Sequence, residues 1–274
     1  MTPKPDFLRG HLGAQRWPVF RLGLAATYRP GEDTVRCALD HGVNYLFAFG
    51  IDTNITRVVR AMNADQREKV ILATGGYNWL VGHWSLKRSL ESALRRYKTD
   101  YIDVFHFLGI MKPREFPPAV QDELSALRAD GKVRLTAVSC HHRKFAGELA
   151  ARGTVDALMI RYNAAHPGAE TEIFPYVAAH NTGVISYTAT RWRRLLVRPR
   201  GWPASEPVAT AGQCYRFALS HPNVQVALTA PSNRTQLLEN LREVERGPLP
   251  DDEMAFMRRY GAYVRDHAGW FMGQ

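Results

Sequence analysis

Three side chains at or near the ends of apolar runs can give or take a proton. Asp52 follows Leu46-Phe47-Ala48-Phe49, Tyr77 follows Val70-Ile71-Leu72-Ala73-Thr74, and His106 lies inside the run from Tyr101 to Phe107. A carboxylate, a phenol and an imidazole are the groups on which a general acid–base step draws. Each also has a plainer explanation. Asp52, before Thr53-Asn54, suits a helix start. Tyr77 offers an apolar body with a wet tip, and a lone histidine such as His106 is as readily a hydrogen-bonded core residue. Tyr45 reads as core by strand alternation. His141 and His142 come after a further apolar run and read as loop histidines. A metal site needs three or four converging ligands, and no HExxH-type spacing occurs, so no metal is expected.

A second group of residues could hold an anion. Arg191-Trp192-Arg193-Arg194 is followed closely by Arg198 and Arg200. Guanidinium groups could clamp a pyrophosphate or an acidic substrate by paired contacts, and the tryptophans could cover a site as a lid. Arginine beside tryptophan would also suit nucleic acid, although a solvated basic loop explains the same run. Outside this stretch the net charge of +10 is spread along the chain, so nucleic acid is not the expected partner.

The elements that must position these groups alternate. Short continuous apolar runs suit strands at 20–24, 44–49, 70–74, 101–107, 135–139, 157–161, 183–188 and 224–228. Helical spacing follows each of them, at 34–40, 56–62, 86–97, 119–129, 144–152, 170–180, 210–220 and 234–246, with a last helix from 251 to 265. Strands covered on both faces read as unbroken apolar runs, and strand–helix alternation calls for a parallel sheet. Eight units predict an α/β fold, a closed (β/α)8 TIM barrel, and no GxGxxG follows the first strand to suggest an open nucleotide-binding sheet. In such a barrel the site lies at the C-terminal ends of the strands. Residues 1–274 read as one barrel domain with an N-terminal arm over 1–18, a basic linker over 190–206 and a C-terminal helix and tail over 251–274. No apolar run approaches the roughly 18 residues of a membrane span. The opening Met-Thr-Pro-Lys-Pro-Asp does not read as a secretory signal, and Cys37, Cys140 and Cys214 form no CxxC pair, so a cytoplasmic protein is expected.

Several motifs, in order and at the right spacing, make the chain similar to the aldo-keto reductase family. Ser85-Leu86-Lys87-Arg88-Ser89-Leu90-Glu91 running into Asp100-Tyr101-Ile102-Asp103-Val104 resembles S-L-x-x-S-L-x-x-L-x-x-D-Y-I-D-L. Gly131-Lys132-Val133-Arg134 with Val138-Ser139 resembles G-K-V-R-x-x-G-V-S-N, and Tyr162-Asn163 and Gly183-Val184-Ile185-Ser186-Tyr187 also fit. The resemblance implies a barrel that binds NADP(H) and a small-molecule substrate, with a tyrosine, lysine, aspartate and histidine to stabilise and protonate the alkoxide left by hydride addition. Aligned in this way, the aspartate falls on Phe47, the tyrosine on Phe49 (or, without a gap, on Asp52), the lysine on Gly75 and the histidine on Leu108. None of these three residue types, phenylalanine, glycine and leucine, can donate a proton or carry charge through its side chain. Losing the lysine and aspartate together avoids an unpaired buried charge, which costs about 3–5 kcal/mol.

By the same resemblance the cofactor residues are Ser139 and Tyr187 at the nicotinamide end and Ser232, Arg234, Gln236 and Asn240 at the adenosine-phosphate end. Helix capping is the competing account of Ser232. Cys140, Met159 and Ala230 depart from the asparagine, glutamine and glycine of the family pattern. The expectation is therefore an NADP(H)-linked oxidoreductase of altered chemistry, with His106, Tyr77 and Asp52 as substitute acids or bases, or else a pseudoenzyme that uses the barrel to bind a ligand or protein.

Overall fold

The apolar runs do become parallel strands, and they close. In the computed structural model, which describes residues 6–49, 52–77 and 85–267, eight strands form a barrel. In chain order they are β3 (Leu22–Ala25), β4 (Tyr45–Phe47), β5 (Ile71–Tyr77), β6 (Ile102–Ile110), β7 (Val133–Cys140), β8 (Ala157–Arg161), β9 (Gly183–Tyr187) and β10 (Val226–Thr229). Each pairs in parallel with its sequence neighbour, and β10 returns to β3. This is the (β/α)8 architecture expected from the alternation. Gly50, the start of the arm and the tail beyond His267 lie outside the described residues.

Side chains divide with a period of two, as a strand requires. Tyr45, Phe47, Ile71, Ala73, Val104, Leu135, Met159, Ile185 and Val226 fill the barrel, whereas Leu22, Leu24, Leu46, Leu72 and Phe105 belong to the larger core under the helices. The helix Leu86–Tyr97 shows how the sequence sets its own limits. The Ser85 hydroxyl accepts the Arg88 N–H at 3.3 Å, and Lys98 ends the helix in the left-handed region with φ 52°.

Three expectations are corrected. The stretch read as an arm carries a hairpin, β1 (Arg9–Leu12) and β2 (Trp17–Phe20), and the first barrel strand begins only at Leu22. Leu12, Val19 and Trp17 pack with the barrel interior, so the hairpin plugs the end opposite the strand C-termini. Asn44 holds it there, accepting the Phe20 N–H at 2.8 Å and donating to Pro18 O at 3.0 Å. The helix expected over 170–180 is broken into Ala169–Glu172, Phe174–Val177 and a 3-10 turn, because Pro175 brings no N–H. The basic linker is largely structural. Trp202 is buried against Tyr260 and Tyr263, and Arg198 donates to Pro203 O and Glu206 O, so neither serves as a lid. Both tyrosines belong to the helix Asp251–His267.

Candidate functional site

A cavity of about 410 Å³ opens where the barrel strands end. Every barrel strand contributes to its lining: Ala25, Phe47, Tyr77, Leu108, Ser139, Met159, Tyr187 and Leu228. It has two unlike walls. On the β4–β6 side stand Phe47, Phe49, Tyr77 and Leu108; Phe47 and Phe49 meet with ring centroids 5.3 Å apart. On the β7–β10 side stand Ser139, His141, Tyr187, Thr188, Thr190 and Arg193, and beyond them Ser232, Gln236, Glu239 and Asn240. Trp192 and Tyr28 stand at the rim, 44% and 38% exposed.

On the apolar wall the strand geometry itself limits what can be present. A Cβ on Gly75 would lie 2.1 Å from the carbonyl oxygen of His106, so β6 passes too close for any side chain there without a backbone shift. The β6–β7 register slips between Phe107 and Ile110, and Gly109, at φ 88°, takes up the left-handed turn that this slip requires.

Of the three expected acids and bases, one reaches the cavity wall. Tyr77 ends β5 and lines the cavity, where burial raises its pKa. His106 does not line it. Its side chain is fully buried one layer down, where Nδ1–H donates to Thr74 O at 3.2 Å and the ring meets Phe47 edge-on at 5.4 Å. Its Nε2 has no partner among the described residues, and burial lowers its pKa to about 4. Asp52 also stands off from the cavity. Its carboxylate accepts the Thr56 N–H at 3.2 Å, at the start of the helix Asn54–Arg60, which is the plainer of the two explanations offered by the sequence. Burial nevertheless raises its pKa.

The polar wall holds a cluster that the sequence did not suggest. Tyr187 O–H lies 3.0 Å from His141 Nδ1, and Arg161 Nη2 lies 3.5 Å from the same nitrogen. A guanidinium only donates, so Nδ1 is the acceptor and the tyrosine hydroxyl also donates to it. Burial, and then Arg161, lowers the His141 pKa. Burial raises that of Tyr187, and Arg161 opposes the rise. His141 is separated from Tyr187 by 46 positions, so no local spacing could reveal the contact. The available signal was that His141, Arg161 and Tyr187 stand at or just beyond the ends of three successive strands.

The expected cofactor residues fall into two groups. Ser139, Tyr187, Ser232, Gln236 and Asn240 all line the cavity; Arg234 is exposed and does not. Asn233, not Ser232, caps the helix Arg234–Glu245, accepting the Gln236 N–H at 3.0 Å. The Ser232 backbone N–H is taken by Gln236 Oε1 at 2.9 Å, and Asn240 donates to Thr229 Oγ1 at 3.1 Å. The positive end of this 12-residue helix thus points toward the cavity's polar end. From the basic run Arg193 lines the cavity, whereas Arg191 is buried and donates to Val264 O at 2.6 Å. Burial pushes the neighbouring Cys140 thiol up to about 12, so it is not an activated nucleophile. Among the described residues no three His, Cys, Asp or Glu side chains converge as a metal site would require, and no helix is long and apolar enough to cross a membrane.

A family model described as the aldo/keto reductase family matches residues 31–192. Among solved structures the chain is similar to an aldo-keto reductase of Bacillus halodurans in its holo form, with a TM-score of 0.76 and 20% identity over 92% of this chain and 95% of that one. It is also similar to an aldo-keto reductase of Klebsiella pneumoniae solved in complex with NADPH, with a TM-score of 0.72 and 20% identity over the same shares. At that identity the likeness concerns the fold. No curated protein matches the chain.

Proposed function

The chain belongs to the aldo/keto reductase family, and from that membership we propose that it is an NADP(H)-linked oxidoreductase acting on a small carbonyl compound or alcohol without the family's usual Asp, Tyr, Lys and His quartet. The observation that carries this reading is the two-walled cavity: the residues aligned with the family's cofactor positions, Arg234 excepted, line one side, and those aligned with its catalytic positions make or adjoin the other. The polar wall fits a phosphorylated dinucleotide. The Ser232 hydroxyl and Gln236 lie at a helix N-terminus, where an anion is favoured; Asn240 lines the cavity further along the same helix, and Arg193 adds a cation nearby. Tyr187 offers an aromatic platform, its hydroxyl held by His141, which Arg161 contacts in turn, and the Ser139 hydroxyl lies on the same wall to hold a carboxamide. When bound, the cofactor supplies a hydride.

The chain's own residues supply what remains. Phe47, Phe49 and Leu108 exclude water from the substrate side of the cavity. Tyr77 is the proton donor on that wall, giving its phenolic proton to the oxygen of the reduced carbonyl. No lysine lines the cavity among the described residues, so burial holds the Tyr77 pKa up and the phenol is a reluctant acid. Slow turnover follows, along with a rate that stays level across neutral pH and changes only as the phenol ionises, above pH 10.

Barrels used only for binding are the second reading, and the run of proton-free residues at Phe47, Phe49, Gly75 and Leu108 is what favours it. Steady-state NADPH oxidation against a panel of aldehydes and ketones separates the two. Tyr77→Phe is expected to lower kcat about 100-fold with little change in KM, the loss typical of a removed general acid. Turnover that is undiminished in Tyr77→Phe would remove the tyrosine from the chemistry, and the absence of turnover with any carbonyl would favour the binding-only barrel.

A further inference from the structure

We propose that the wall opposite the nucleotide side selects an uncharged, flat aromatic molecule. The inference deepens the reading above by naming a substrate class, and it rests on that reading only in taking the bound molecule to be a substrate. Phe47 and Phe49 come from the end of β4 and Tyr77 from the end of β5, and Leu108 on β6 continues the same surface. The two phenylalanine rings meet at 5.3 Å and 38°, so they form one continuous apolar surface rather than two isolated contacts. Among the described residues, no side chain across this stretch of wall carries a charge; the charged residues lining the cavity, Arg193 and Glu239, stand on the far side, after β9 and β10.

A carboxylate or phosphate pressed against Phe47 and Phe49 would lose its hydration and find no partner, which disfavours binding strongly. An apolar ring loses nothing by leaving water there and gains edge or offset contacts with the phenylalanines. At the rim, Trp192 and Tyr28 are large aromatics left 44% and 38% exposed although both line the cavity. Rings in that position can stack on a flat molecule as it enters, and a dry stack is worth more than a wet one.

The test is calorimetric titration of the full chain with 2-naphthol and with 2-naphthoate, each with and without saturating NADPH. The expected result is that naphthol binds at least about tenfold more tightly than naphthoate, a gap of about 1.4 kcal/mol. Phe49→Ser should lower naphthol affinity by about fivefold or more, and Tyr28→Ser, a rim change that leaves the core untouched, should lower it by a smaller factor. Naphthoate binding as tightly as naphthol would overturn the proposal, and so would naphthol affinity unchanged in both variants. If naphthol binds as described while NADPH does not bind, the oxidoreductase reading falls and this one stands. If NADPH binds and naphthol does not, this one falls alone.

Discussion

A buried imidazole with one nitrogen unpartnered is costly to charge, and His106 is in that position. Phe47 lies against its ring, Thr74 O takes Nδ1–H, and Nε2 has no partner among the described residues. Its pKa of about 4 in the folded chain stands below the ordinary 6.5, so the unfolded chain binds the proton more readily. Stability from this group is therefore complete above pH 6.5 and is lost as pH falls toward 4, by about 3 kcal/mol in all. His166 adds to the loss in the same window, because burial and then Arg161 bring it to about 4 as well. Urea unfolding at pH 7 and at pH 4.5 should show the drop, and an NMR titration should place the His106 midpoint far below that of an exposed histidine. Phe47→Ala should raise that midpoint toward 6.5 by letting water reach the ring. An unmoved midpoint would mean that Phe47 does not keep His106 dry. Residue identity alone made His106, Tyr77 and Asp52 candidates of equal standing. Depth is what separates them, and depth depends on which strand lies beside which. The same is true of Gly75: its lack of a side chain is plain in the sequence, whereas the approach of the His106 carbonyl that excludes one is not.

Elements were more legible than sites. Strand and helix patterns repeat locally, and all eight barrel strands stand close to where the apolar runs place them. The hairpin at the start is not legible because Arg9–Leu12 has little apolar character of its own and Trp17–Phe20 holds Pro18, which argues against a strand; they are strands because they pair with each other and cover the barrel floor. That covering can be weighed. Leu12 is fully buried against the start of β9, where its Cδ1 would stand 2.8 Å from a Cβ placed on Gly183. Leu12→Ala should cost about 2–5 kcal/mol of unfolding free energy, the range for deleting a buried leucine, measured by denaturant unfolding with the slope unchanged. A cost under about 0.5 kcal/mol, the usual surface value, would show that the hairpin is an accessory and not a plug. The linker after β9 teaches the same lesson with the opposite sign. A run of arginines and tryptophans looks like a surface for a partner, but Arg191, Arg198 and Trp202 are occupied with the chain's own carbonyls and rings. Charge and aromaticity are visible in the sequence; what satisfies them is not.

Taken whole, the molecule is a family barrel whose mouth has an apolar side. Phe47, Phe49, Gly75 and Leu108 bring no side-chain charge to this part of the mouth, and some of the buried charge lies lower down in ion pairs. Asp103, for example, bridges Arg67 at 2.7 Å and Arg134 at 3.0 Å far from the cavity. The net charge of +10 suits an anionic cofactor, but Arg193 is the arginine that lines the cavity among the described residues, so the overall charge says little about the site. What the account most depends on is that the polar wall still holds a dinucleotide. Titrating the chain with NADPH while following its fluorescence tests this directly. Saturable binding is expected, with a dissociation constant of about 10 μM or tighter, near −7 kcal/mol, weakened about tenfold or more by Tyr187→Ala. No binding at several hundred micromolar would contradict it.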